Sequence, residues 1–158
     1  ALGSIFIEKD LGVASIGLDY VPYSIESETV SNNRGSTRTD SGLNEVQVDI
    51  ANNVTLYGLI PVGAEGAYVK VGASYADVET NERMNATNTT YGDEELVGAH
   101  LSIGFKIDTD AVGLRVEAGY SQYEDLSVKS SGGDGVANTV SVKNLDGPHA
   151  RISLVKSF

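Results

Sequence analysis

His149-Ala-Arg-Ile-Ser-Leu-Val-Lys-Ser-Phe158 is a run of alternating character. Ala150, Ile152, Leu154 and Phe158 fall on one face of an extended strand, and His149, Arg151, Ser153 and Ser157 on the other. The cause is the period of two by which strand side chains change faces. An amphipathic strand that runs to an aromatic final residue departs from the polar, frayed ends usual in soluble domains.

The same alternation recurs upstream. Residues 3–8 are a short, ambiguous instance. Residues 12–25 set Ala14, Ile16, Leu18 and Tyr20 against Ser15, Gly17 and Asp19. Residues 44–60 set Val46, Val48, Ile50, Val54 and Leu56 against Gln47, Asp49, Asn53 and Thr55. Residues 67–78, 96–107, 111–123 and 148–158 follow the same rule. Seven strands are therefore predicted, in one domain spanning 1–158. The links alternate in length. Those at 9–11, 61–66 and 108–110 are short, and those at 26–43, 79–95 and 124–147 are long and polar. Sorted links of this kind are the layout of transmembrane barrels, with short periplasmic turns and long outer loops.

Composition narrows the classes. The chain has 158 residues, no Cys, 18 Gly, 3 Pro and 41% hydrophobic residues. Without Cys there is no disulfide framework. No apolar run is long enough for a transmembrane helix, and no charged segment leads into an apolar one, so any export signal is expected to have been removed. The net charge of -11 argues against nucleic acid as a partner, because phosphate binding needs clustered cations. Val, Ile, Tyr and Thr dominate the patterned stretches, and the chain reads as all-β.

Charge decides the faces. The polar faces carry Asp19, Asp49, Lys70, His100, Lys106, Arg115, Glu117 and Arg151. An ionised group aimed at lipid costs about 2–4 kcal/mol near the bilayer midplane. In a membrane barrel this face must be the lumen. Glycines alternate with those charges at Gly17, Gly72, Gly98, Gly104, Gly113 and Gly119. Gly weakens a solvent-facing strand, but it makes room for long charged side chains inside a narrow barrel. The expected result is an internal ion-pair network that plugs the barrel, since lone buried charges are costly. Tyr20, Tyr75 and Tyr120 each lie on the apolar face of an outgoing strand, where a girdle of rings would meet the membrane boundary.

In layout the chain resembles the small bacterial outer-membrane barrels of the OmpA/OmpX-like class. The resemblance implies an eight-stranded antiparallel up-and-down transmembrane β-barrel in the outer membrane of a Gram-negative bacterium. It implies contact with lipid and lipopolysaccharide. It also implies recognition of the last strand, and of Phe158, by the barrel assembly machinery. Two features depart from it: Lys156 stands where the closing strand usually has an apolar residue, and there is no Trp. Seven strands are an odd count for such a barrel, so one outgoing strand is expected upstream of Ala1.

Function is expected to be structural or surface-interacting, with the long acidic loops facing outward as the place for a ligand or phage contact. One alternative is a narrow porin-like channel. Another is a soluble or secreted β-sandwich or filament subunit completed by strand donation. His100-Leu-Ser102 with Glu117 is similar to the pair-and-acid set of lipid A deacylases. It would face the lumen rather than lipid, so no catalytic residue is expected. The run Tyr91-Gly-Asp93-Glu94-Glu95, with Asp134, reads as a solvated acidic loop rather than a Ca²⁺ site, for it lacks the spacing of a calcium-binding loop. No metal or cofactor is expected.

Overall fold

The computed structural model describes residues 2–34, 42–84, 90–109, 112–131 and 139–157. The first strands in chain order are β1 (Ile5–Asp10), β2 (Ser15–Tyr20), β3 (Ile25–Glu26), β4 (Val30–Arg34), β5 (Gly42–Pro61) and β6 (Ala67–Met84). They are followed by β7 (Thr90–Tyr91), β8 (Glu94–Asp108), β9 (Gly113–Tyr123), β10 (Leu126–Ser131), β11 (Thr139–Val142) and β12 (Asp146–Val155). The main path is an antiparallel meander, β1-β2-β5-β6-β8-β9-β12. The seven strands are joined in sequence order, so the alternating segments each pair with the next one along the chain.

The turns explain the tight reversals. After β1, Leu11 N donates to Ala14 O at 2.9 Å, and the Asp10 carboxylate accepts from Gly12 N at 2.7 Å. Gly12 has φ +89, a left-handed conformation that any Cβ would strain. Gly66 (φ +84) closes the turn before β6, and its carbonyl accepts from Lys106 N at 2.8 Å.

The sheet curls back on itself without closing. Arg115 of β9 reaches Glu8 of β1, and Arg151 of β12 reaches Asp19 of β2 and Ser4. Among the described residues, however, β1 and β12 do not pair. The all-β antiparallel sheet of the sequence reading is thus present, as an open, curled sheet among the described residues. In a seven-stranded antiparallel path the two edge strands run parallel to each other, so pairing them directly would need a parallel ladder.

One correction concerns the long links. Much of 26–43, 79–95 and 124–147 is strand, not loop. The β5–β6 ladder runs on through Glu45↔Arg83 to Asn44↔Met84, with β3 and β4 laid along the other side of β5. A separate ribbon, β11-β10-β7, continues from β12, β9 and β8. The outer part of β6 is polar on both faces and carries no period-two signal, whereas β10 and β11 alternate, through Leu126 and Val128 and through Val140 and Val142, over runs too short to stand out. The 12–25 strand also ends early, at Tyr20, and Pro22 follows. Proline cannot donate to a ladder.

A row of irregularities crosses the sheet between its two parts. Val21 N donates to Asn53 O, Tyr123 N to Leu145 O, and Glu124 N to Val97 O, at 2.9–3.0 Å. On β5 the register shifts between Ala51 and Val54, and Asn52 takes φ 49. One extra residue there is a β-bulge, which exchanges the faces of the strand beyond it. On the short-turn side of the bulge, Thr55 sits opposite Ser74 on the inner face and Leu56 is exposed outside. On the far side, Ile50 is opposite buried Val78, and Asp49 is opposite exposed Glu79. The break at Glu124–Asp125 does the same between β9 and β10. Arg115 and Glu117 are buried before it, Leu126 and Val128 after it.

Two interiors result. On the long-link side, Val78, Leu96, Leu126 and Val128 form an apolar cluster, flanked by Val48, Ile50, Tyr91, Tyr123 and Leu145. On the short-turn side the inner face is charged and aromatic.

Candidate functional site

The charged interior is built from facing strands. Arg115 Nη1 and Nη2 donate to the two Glu8 oxygens at 2.5 and 2.6 Å. Lys70 Nζ lies 3.2 Å from Glu117 Oε2, and Arg151 pairs with Asp19. Arg151 also donates to Ser153 and Ser4, at 2.9 and 3.0 Å. Arg115 is 6% exposed and Glu117 4%. At that burial an unpaired charge would cost several kcal/mol, so the pairing is obligatory.

Two tyrosines complete the carboxylate shells. Tyr57 Oη donates to Glu8 and Tyr68 Oη to Glu117, each at 2.8 Å. Each ring lies across a glycine directly opposite in register: Tyr57 over Gly17 and Tyr68 over Gly104. A Cβ on either glycine would intrude on the ring. The inward glycines therefore make room chiefly for tyrosine rings that span them. The cations use the same rings: Lys70 Nζ lies 4.1 Å from the Tyr57 centroid, and Arg151 sits 5.2 Å from the Phe6 centroid.

A histidine layer lies between the ion pairs and the apolar cluster. His100 Nε2 is 2.7 Å from Ser74 Oγ, and His100 Nδ1 is 2.7 Å from Ser121 Oγ. His149 Nδ1 is 2.9 Å from the same Ser121 hydroxyl, and His149 Nε2 is 2.9 Å from Ser102 Oγ. The rings stand edge to face with centroids 6.2 Å apart.

Asp19, Lys70, Arg115, Glu117 and Arg151 thus come together, with His100 one layer away. Lys106 is opposite Arg115 in register, at the short-turn end of the inner face. Asp49 does not join them. It lies beyond the Asn52 bulge, on the exchanged face, and accepts from Asn81 Nδ2 at 2.7 Å. Tyr20, Tyr75 and Tyr120 point outward, 37%, 40% and 49% exposed. Tyr20 and Tyr75 share a row through Val54, whereas Tyr120 lies opposite Leu101 and hydrogen-bonds Asp146. Phe158 and Asp134 fall outside the described residues.

Sequence reasoning missed Glu8, Phe6, Tyr57 and Tyr68. Phe6 and Glu8 were hidden in the short 3–8 stretch, although they alternate with Ile5 and Ile7. The two tyrosines had a signal: each stands on the polar face, two or three residues from another large side chain, opposite a strand that offers Gly. The deacylase-like set is not assembled. His100 and Ser102 are on one inner face, but the His100 nitrogens go to Ser74 and Ser121 while Ser102 goes to His149.

Outside, a shallow depression is lined by Asp77, Glu79, Asp93, Glu94 and Glu95. Asp93 accepts there from Thr80 N at 3.2 Å. Among the described residues, no group of three or more His or carboxylate side chains is arranged to hold a metal ion. No protein-family model matches the chain, and no curated protein or solved structure is significantly similar to it.

Proposed function

We propose that the chain forms the wall of a small outer-membrane β-barrel, which anchors an outward-facing polar sheet as a structural or surface-interaction platform. The observation that carries this reading is the inverted distribution of side chains on the short-turn part of the sheet. Leu101, Ile103, Phe105, Ile107, Val116, Ile152 and Leu154 are exposed on the outside while Arg115, Glu117 and Asp19 are buried within. Water-soluble domains rarely expose contiguous apolar surface on this scale. Val97 to Ile107 spans ten residue steps, about 34 Å along the strand and about 26 Å of height at ~40° of tilt, close to the apolar band of membrane barrels. The outer face turns acidic beyond it, at Asp77, Glu79 and Glu95.

Closure into a barrel is part of the proposal. A strand running opposite to both β1 and β12 satisfies the two parallel edges at once and brings the count to eight. Arg151 of β12 bonds Ser4, which directly precedes β1, at 3.0 Å, so the two edges face each other.

Fractionation and gel mobility test this reading. The protein is expected to need detergent for extraction and to change mobility on boiling. Solubility without detergent and a mobility unaffected by boiling would refute it in favour of a soluble sandwich.

A further inference from the structure

The two edge strands, β1 and β12, flank a slot. No Cα of β1 lies within 8 Å of a Cα of β12, whereas paired strands run about 4.8 Å apart. The slot also has an upper limit, because one side chain crosses it: Arg151 Nη2 lies 3.0 Å from Ser4 Oγ. One intervening strand parts its flanks by about 9.6 Å, and three part them by about 19 Å. Only a single strand fits both limits.

The phase of each edge shows which backbone groups face the slot. Tyr123 N donates to Leu145 O, and Asp146 stands opposite Gln122. By the alternation of an antiparallel ladder, Arg151 and Ser153 bond β9, and Ala150, Ile152 and Leu154 turn their N–H groups to the slot. Pro148, which has no N–H to offer, belongs to the same slot-facing set. Leu11 N donates to Ala14 O, and Asp10 stands opposite Ser15. Ile7 and Lys9 therefore bond β2, while Phe6 and Glu8 face the slot. Lipid cannot satisfy such groups, and in water they invite pairing.

The two sides of the slot differ. Outside, Ile5, Ile7, Ile152 and Leu154 are exposed. Inside, Arg151 runs beneath the slot to Asp19 and Ser4, and its guanidinium carbon lies 5.2 Å from the Phe6 ring. An entering strand meets apolar neighbours on its outer face. On its inner face it meets a filled floor, where only Gly, Ala or Ser has room. A second copy of the chain the same way up does not supply this strand, since its own edges run in the direction already present. Nor do the described residues before β1 turn in. Gly3 N donates to the Tyr23 hydroxyl, so the lead into β1 continues alongside β2.

We propose that this slot is a docking site for one extended segment of another polypeptide, antiparallel to both edges, with apolar side chains outward and small ones inward. The inference rests on the closure argued above and not on the lipid around it.

Amide hydrogen exchange of the purified protein in detergent micelles, read residue by residue by NMR, tests this. Phe6, Glu8, Ala150, Ile152 and Leu154 are expected to exchange much faster than Ile7, Lys9, Arg151 and Ser153. A Lys-capped synthetic peptide alternating Val and Ser is expected to slow the first set by about tenfold or more, and one alternating Val and Phe is not. Ile152→Pro deletes a slot-facing N–H, spares the β9 ladder and is expected to abolish the slowing. The proposal is overturned if the first set is already slow without peptide, which would mean that the chain fills its own slot. It is equally overturned if the Val–Ser peptide leaves that set fast, or if the Val–Phe peptide slows it as much. Should Ile152→Pro not fold, the two peptides decide. Solubility without detergent would refute the membrane reading alone, and the same exchange measurement in buffer would still decide the docking.

Discussion

Glu8 holds Arg115 by two charge-assisted hydrogen bonds in a buried setting. Glu8→Ala would strand the guanidinium and is expected to cost about 3–5 kcal/mol, as for other broken buried pairs. Replacing both partners, Glu8→Ala with Arg115→Leu, should recover most of that loss. Denaturant titration followed by gel mobility would check both, and equal destabilisation by the single and double changes would contradict the pairing. The glycine–tyrosine pairs make a separate prediction. Gly104→Val forces the Tyr68 ring away and breaks its 2.8 Å bond to Glu117. The expected cost is about 1–3 kcal/mol, typical of overpacking. Adding Tyr68→Ala should relieve the clash, and a double variant no better than the single one would count against it.

At the scale of elements, the Asn52 bulge separates two packing rules. Deleting Asn52 restores a single register along β5 and would turn Ile50 and Val48 outward and Asp49 inward. The apolar cluster of Val78, Leu96, Leu126 and Val128 then loses neighbours on β5. Limited proteolysis should find new cleavage on the long-link side of residue 52, while the short-turn part keeps its resistance. Asn52→Gly keeps the φ of 49 without strain but loses the 2.8 Å hydrogen bond that Asn52 donates to Asp77, for an expected cost of about 1 kcal/mol. The bulge also marks where the sequence stops being legible. β8, β9 and β12 were readable because apolar and polar residues alternate over their full length. The outer part of β5 was readable too, through Val46, Val48 and Ile50, but that of β6 was not, because Glu79, Thr80, Asn81 and Arg83 put polar groups on both faces. Asp49 was placed inside by extending one alternation through a residue that reverses it. Within the charged interior the anions and cations on long strands were legible. Glu8 was not, because six residues give too short a pattern, and neither were the tyrosines that need an opposing glycine to fit.

For the molecule as a whole, the stacking order on β6 is informative: Tyr68 and Lys70 near the short turns, Gly72 opposite His100, then Ser74, Ala76 and Val78. Ion pairs, a hydrogen-bonded layer and an apolar cap succeed each other along the interior. Such filling argues for an anchor rather than a conduit. In planar bilayers the protein is expected to give no conductance steps, and Arg115→Ala is expected to give none that persist. Sustained steps from the wild type would favour the porin-like alternative.

The upper ribbon has its own hydrophobic support in Leu126, Val128 and their neighbours. Foreign peptide carried by this ribbon would thus rest on an apolar floor, remote from the charged layers. The chain is in that sense a ready pedestal for display.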